Sequence, residues 1–111
     1  MAVILAVWGK FQMRILTQAR IDMWAKKFPD ANESLCAWEK TVSKAMWKSF
    51  HDVKRDFPSA DLVTLKSSKD SFLIFDICNN KFRMTVKVNF QFKMVILQEF
   101  MTHKEYDKKK F

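Results

Sequence analysis

At 111 residues the chain holds one ordinary domain and is too short for two. Hydrophobic residues make up 49% of it, with eleven Phe and four Trp, enough for a full core without disulfide or metal staples. The net charge of +8 favours a polyanionic partner, nucleic acid before membrane, and it is not the property of a detachable tail: residues 1–60 and 61–111 each carry ten basic and six acidic residues, +4 apiece.

The opening MAVILAVWGKFQ has the look of a signal core, yet it lacks a basic flank and a small-residue cleavage site. Its apolar run of eight residues is too short to span a bilayer. Met13 then opens MRILT as a natural start does. Residues 1–12 therefore read as an upstream extension or mis-assigned start, ahead of a single domain over 13–111.

MRIL is a short apolar run suited to an edge strand. Thr17 offers an N-cap, and Ile21, Trp24, Ala25 and Phe28 follow at helical spacing until Pro29 stops the helix. Asp30 with Glu33 three residues on has the capping-box pattern, opening a second helix whose apolar face is Leu35, Trp38, Val42, Ala45 and Met46. A third, shorter helix, with Ser49 as its cap, puts Met46, Phe50, Val53 and Phe57 on one side and closes at Pro58.

From Asp61 onward the period changes to two. SFLIFDI (71–77) is a strand, CNNK (78–81) a turn whose Asn pair tolerates positive φ, and FRMTVKVNF (82–90) a strand of near-regular alternation. Phe82, Met84, Val86, Val88 and Phe90 share one face of it; Arg83, Thr85, Lys87 and Asn89 share the other. QFK turns again, and MVILQEFM (94–101) is the last strand. Helices followed by a meander of strands predict an α+β domain: two to three N-terminal helices packed on a twisted antiparallel sheet. On the sheet's open face Arg83 and Lys87 stand about 13 Å apart, a cationic strip at roughly the spacing of two backbone phosphates. A solvated strand face accounts for the same pattern.

No metal site is expected, because His51 and His103 are far apart and have no Cys or His neighbour. Cys36 and Cys78 form no C-x-x-C pair and read as reduced thiols of a cytoplasmic protein, with a disulfide as the alternative.

Three stretches, AWEKTVSKAMWKSFHDVKRDFPSADLV (37–63), FDICNNKFRMTVKVNF (75–90) and FMTHKEYD (100–107), carry a family pattern. W-x-S before FPSAD, then F-(D/N)-I-x-x-N-K-(F/Y)-R, then THxEYD stand in order and spacing that resemble the HigB family of type II toxins, within the RelE/ParE-like superfamily of ribosome-dependent mRNA endonucleases. The resemblance runs from Met13 to Asp107. It implies a RelE-like fold, cleavage of mRNA in the ribosomal A site with contacts to 16S rRNA, and neutralisation by a HigA-type helix-turn-helix antitoxin. It further implies operator DNA binding only through that antitoxin, a cytoplasmic location without a membrane, and no metal or organic cofactor. One departure is the turn at Cys78 and Asn79, where relatives often carry glycine.

The implied chemistry directs a ribose 2′-hydroxyl at the adjacent phosphate, which calls for a base, cations on the phosphorane-like transition state, and an acid for the leaving oxygen. Arg83 is the candidate phosphate clamp; an ion pair with Glu99 on the next strand is its structural alternative. His103 is the candidate for proton exchange near neutral pH, or a histidine hydrogen-bonded at a strand end. Tyr106 stacks on a base, protonates the leaving group or packs on the helices. Lys81, Lys87 and Lys104 are candidate phosphate contacts. Glu105 and Asp107 are assigned to orienting His103 or nearby lysines, and His51 to structure. Residues 102–107 are expected to close the last strand and bring His103, Lys104 and Tyr106 beside Arg83, with Lys108 to Lys110 a mobile basic end. The rival readings are a non-catalytic RNA- or DNA-binding module, including an inactive toxin relic, and a plain interaction domain.

Overall fold

The computed structural model describes residues 12–64 and 71–108. Of the expected extension over 1–12, all but Gln12 lies outside the described residues, as do residues 109–111 of the basic end.

The chain runs β1 (Arg14–Leu16), α1 (Ala19–Lys27), a 3-10 turn (Pro29–Ala31), α2 (Asn32–Lys44) and α3 (Phe50–Asp56). It continues through β2 (Asp61–Thr64), β3 (Ser71–Ile77), β4 (Phe82–Asn89) and β5 (Met94–Thr102) to α4 (His103–Lys108). The helical stripes face inward as their spacing predicts. Ile21 of α1, Leu35, Trp38 and Val42 of α2 and Val53 of α3 are buried, and Ala45 joins them. Phe28, before Pro29, leaves the helical region at φ −127° and ψ 78°, which ends α1. Met46 departs from the expected face: helix α2 stops at Lys44, the backbone turns extended at Ala45, and Met46 is left exposed.

The three expected caps differ from the structure for local reasons. Thr17 lies at φ 62° with its hydroxyl on the Leu16 carbonyl, so Gln18 precedes α1 without a side-chain cap. Asp30 sits inside the 3-10 turn, and its carboxylate accepts from Lys81 Nζ at 3.2 Å instead of capping α2. Ser49 does hold the N-cap position of α3 in extended backbone, but its side chain makes no capping bond; the carboxylate at this end is Asp52, accepting from the Lys48 N–H at 2.8 Å.

The sheet order is β1-β5-β4-β3-β2. The β2–β3, β3–β4 and β4–β5 neighbours are antiparallel, as a meander requires. The sheet as a whole is mixed, which corrects the antiparallel expectation: β1 pairs with β5 in parallel, Ile15 opposite Val95. With β2 to β5 joined consecutively, the edge left for the N-terminal strand is that of β5. The long helical crossover lets β1 meet it in the same direction. Along β5 the partners jump from Glu99 opposite Thr85 to Leu97 opposite Val86, so Gln98 is an extra residue. Arg20 covers this bulge, Nη1 donating to the carbonyls of Leu97 at 2.8 Å and Gln98 at 2.9 Å.

All of α1, α2 and α3 pack on one face of the sheet, against Leu73, Phe75, Phe82, Met84, Val86, Val95 and Leu97. Aromatic contacts divide this core into two clusters. Trp24 and Phe28 meet Phe82 and Phe100, with Phe82 and Phe100 stacked at 5.1 Å between centroids. Trp38, Trp47 and Phe57 surround Phe75. Each such contact adds about 0.5–1.5 kcal/mol beyond its buried area. The first cluster lies under the start of β4, and so beneath Arg83.

Candidate active site

Strands β3 and β4 are joined by residues 78–81, and the register pairs Ile77 with Phe82, then Asp76 with Arg83. Directly opposed residues of antiparallel strands share a face. Asp76 and Arg83 therefore project together on the side away from the helices. Their side chains form an ion pair, Arg83 Nε to Asp76 Oδ1 at 3.0 Å, with only 12% of the arginine side chain exposed. This partner lies on the preceding strand, whereas Glu99 stands opposite Thr85. The other arm, Nη1, approaches the carbonyls of Asn80 and Phe82 at 3.3 and 3.4 Å.

The turn itself is left-handed at three successive residues, Cys78 (φ 57°), Asn79 (φ 51°) and Asn80 (φ 75°). The asparagines accept this conformation readily; the cysteine does so against a steric cost. Lys81 N–H closes the turn on the Cys78 carbonyl at 3.1 Å. The tight turn is thus kept without glycine.

The face away from the helices is not an open strip. Ile74, Thr85 and Met101 on it are each buried, although they lie outside the helix-side core. Lys87 is half-buried with Nζ 5.6 Å from the Phe72 ring centroid, the residue directly across the ladder.

Thr102 is the last residue of β5, and residues 103–107 leave the sheet. After Thr102 the chain turns into helix α4, and a reciprocal cap explains why: Glu105 N–H donates to Thr102 Oγ1 at 3.2 Å, while Thr102 N–H donates to Glu105 Oε1 at 3.0 Å. The Thr102 N–H first, and the Thr102 hydroxyl after it, hold the Glu105 carboxyl below its ordinary range. Glu105 is a capping residue and does not orient His103. Asp107 does: its Oδ2 lies 3.2 Å from His103 Nε2, one helical turn away. His103 N–H is anchored on the Lys81 carbonyl at 3.0 Å, which ties α4 to the β3–β4 turn. Its Nδ1 is buried without a hydrogen-bond partner in the structure.

Helix α4 returns Tyr106 to Arg83, whose Cζ lies 5.6 Å from the ring centroid. Burial is the leading cause that pushes the Tyr106 phenol above its usual range; the charges of Asp61, Asp107 and Asp76 add to it and Arg83 opposes it. Asp61 opens β2 opposite Ile74, on the same face as Asp76 and Arg83. The result is a cation held by a carboxylate and an aromatic ring, beside a phenol that keeps its proton at neutral pH. Such a set can bind an anion and donate a proton next to it.

Of the candidates, then, Arg83 and Tyr106 are in contact, and His103 lies one turn before Tyr106 on α4. Lys81 sits at the turn in an exposed pair with Asp30, and Lys104 is exposed on α4. Lys87 lies four residues along β4 from Arg83. Asp76 and Asp61 were not among the candidates. The signal for Asp76 was present in the turn: a loop over 78–81 fixes every opposed pair of the hairpin, including 76 with 83. Among the described residues no group of three His, Cys, Asp or Glu side chains is placed to hold a metal ion. No helix among them is long and apolar enough to cross a membrane.

Comparison with known proteins bears on this constellation. Residues 31–109 match the family model of the HigB toxin, described as the RelE-like toxic component of a toxin–antitoxin system. The chain is 32% identical over 95 residues to the mRNA interferase toxin HigB of Escherichia coli K12, covering 86% of this chain and 88% of the relative. The mRNA interferase HigB of Shigella flexneri is similar to the same extent. One from Escherichia coli O6:H1 is 22% identical over 96 residues, covering 86% of this chain and 90% of its own.

Proposed function

The chain belongs to the HigB toxin family, and on that premise we propose how its residues carry out the cleavage of mRNA. It is the toxin of a toxin–antitoxin pair and an endoribonuclease acting on mRNA. The Arg83–Asp76–Tyr106 cluster is the observation that carries the assignment of the site.

The 2′-oxygen of one ribose attacks the adjacent phosphorus, and the bond from phosphorus to the 5′-oxygen of the next nucleotide breaks. The products are a 2′,3′-cyclic phosphate, or its opened form, and a 5′-hydroxyl. Arg83 meets the non-bridging oxygens, where negative charge grows in the transition state. Asp76 and the Tyr106 ring hold the guanidinium in place, so no reorganisation is needed when charge develops. Tyr106, whose phenol is protonated at neutral pH, gives its proton to the departing 5′-oxygen. His103 takes the 2′-hydroxyl proton, and the Asp107 carboxylate 3.2 Å away stabilises the imidazolium that forms. Lys81, Lys87 and Lys104 contact neighbouring phosphates. Cleavage takes place on the ribosome, in the A site, in the cytoplasm, and a HigA-type antitoxin neutralises the toxin.

One observation favours the non-catalytic RNA-binding reading: Arg83 is already paired and largely covered. Inducing the chain from Met13 in bacteria, with and without the antitoxin gene, separates the two. Growth arrest relieved by the antitoxin, with mRNA ends mapped within codons on ribosomes, is expected of the enzyme. Arg83→Ala is expected to lower cleavage about 10²–10³-fold with the fold retained. A folded Arg83→Ala protein of full toxicity removes the role.

A further inference from the structure

Both halves of the candidate active site hang on the β3–β4 turn, residues 78–81. The Asn80 carbonyl lies 3.3 Å from Arg83 Nη1, and the Lys81 carbonyl accepts the His103 N–H at 3.0 Å, where α4 begins its path to Tyr106. Movement of the turn therefore changes the distance between the guanidinium and the tyrosine ring. Yet the turn's own geometry is unfavourable. Its three left-handed residues start with Cys78, half-buried at φ 57°, where a residue with a Cβ is held against a steric cost. A backbone outlier of this kind persists where surrounding contacts over-determine it.

Those contacts come from Asp30. The Cys78 thiol donates to the Asp30 carbonyl at 3.3 Å, and Lys81 Nζ donates to Asp30 Oδ2 at 3.2 Å, so one residue meets the first and the last position of the turn. Asp30 is itself firmly seated. Pro29 before it has a fixed φ, Ala31 after it is fully buried, and Phe28 packs at 5.0 Å on the ring of Phe82, the residue next to Arg83. Its carboxylate leaves the N-terminus of α2 uncapped and serves the turn instead. Either tie alone is weak, since a thiol is a poor donor and the Asp30–Lys81 pair is exposed. Acting at the two ends of a four-residue turn, they fix its tilt against the helical layer, which neither does alone.

We propose that Asp30 and the Cys78 thiol are positioning residues for mRNA cleavage: together they latch the β3–β4 turn to the helical layer, so that the Asn80 and Lys81 carbonyls hold Arg83 and the start of α4 at their working distance. Neither residue touches the reacting atoms. The inference rests on the reading of the site given above and adds to it the part of the helical layer that sets the spacing of Arg83 and Tyr106. A purely structural role costs stability and activity in proportion. A positioning role costs rate while the fold and the affinity for RNA remain.

The test compares the full chain with Asp30→Ala plus Cys78→Ala, which removes both ties, and with Asp30→Asn plus Cys78→Ser, which keeps an acceptor and a donor in place. Cleavage of mRNA on purified ribosomes is followed at saturating toxin, with RNA affinity and melting temperature measured on the same proteins. The alanine pair is expected to cleave about 10- to 10²-fold more slowly, with affinity for RNA undiminished because Lys81 is released and not removed. The asparagine–serine pair is expected to restore most of the rate. A second readout needs no cleavage: Tyr106 is the chain's one tyrosine, so phenolate absorbance titrates it alone. Burial holds this phenol above its usual range, and loosening α4 should move its midpoint down toward about 10 in the alanine pair only. Full-rate cleavage by the alanine pair overturns the proposal, as does an equal loss in both pairs, which assigns the two residues to packing. If the alanine pair does not fold, Asp30→Ala alone, a change at an exposed side chain, decides: an unaltered rate overturns the latch, and a slower rate at full affinity supports it. If the parent chain cleaves no mRNA, the reading of function falls by itself, and the tyrosine titration still reads the latch.

Discussion

Arg83 is held from three sides: Asp76 on its Nε, two carbonyls near Nη1 and the Tyr106 ring across its plane. That arrangement is costly to break from the acidic side. Asp76→Asn keeps the shape and an acceptor but leaves a largely covered guanidinium without its counter-charge. It is expected to lower stability by about 1–3 kcal/mol in urea unfolding, and cleavage to fall further than the unfolded fraction explains. Tyr106→Phe keeps the ring against Arg83 and removes only the proton. If the phenol is the acid, cleavage falls about 10²-fold while RNA binding is unchanged; full cleavage by the phenylalanine variant leaves Tyr106 a stacking role alone. The alternation of FRMTVKVNF was enough to put Arg83 opposite the core. Which carboxylate it meets was legible only by counting outward from the 78–81 turn; Glu99, the alternative on the next strand, stands opposite Thr85.

At the scale of elements, α4 shows how a short polar run is misjudged. THKEYD follows an apolar strand, and its one lysine and two carboxylates leave no apolar stripe by which to read a helix. Yet Thr102 and Glu105 are three apart, the same spacing that was read as a cap at Asp30 and Glu33. The pattern fails at Asp30 because that residue lies inside the 3-10 turn that opens at Pro29. It succeeds at Thr102, where nothing competes and both reciprocal bonds form. Helix α4 is only six residues long, so it depends on that cap more than a long helix does. Thr102→Ala is expected to cost about 1 kcal/mol of local stability. Hydrogen exchange should then rise in residues 103–108 while the β3 and β4 amides stay protected, and cleavage should fall because Tyr106 is no longer held on Arg83. Uniform exchange across the sheet would instead make α4 part of the global unit. The β1–β5 pairing was beyond sequence patterning for another reason: a three-residue strand carries no mark of its direction, and the pairing is fixed by which sheet edge is left.

Across the whole molecule, helix faces and strand period came through because burial writes them directly into the sequence, residue by residue. Electrostatic partners did not, since they are set where separate elements meet. Three such groups shape the response to pH. Asp52 is held below its ordinary range, first by the Lys48 N–H and also by Arg55, and Glu105 likewise by Thr102. A lowered carboxyl pKa stabilises the fold above the unfolded value, near 4, and that stabilisation is lost as pH falls through the folded one. Tyr106 is raised, so its contribution is complete below about pH 10 and is lost as pH rises through the folded value. The melting temperature should therefore be level between roughly pH 5 and 9 and fall on both sides. Asp52→Asn isolates one limb: it is expected to melt lower than the parent at pH 7, with the gap closing in acid as the parent's lowered carboxyl becomes protonated too. Calorimetry of the two proteins over that range reads the difference directly. A gap that stays constant with pH would assign Asp52 to shape and hydrogen bonding alone, with no contribution from its charge beside Arg55.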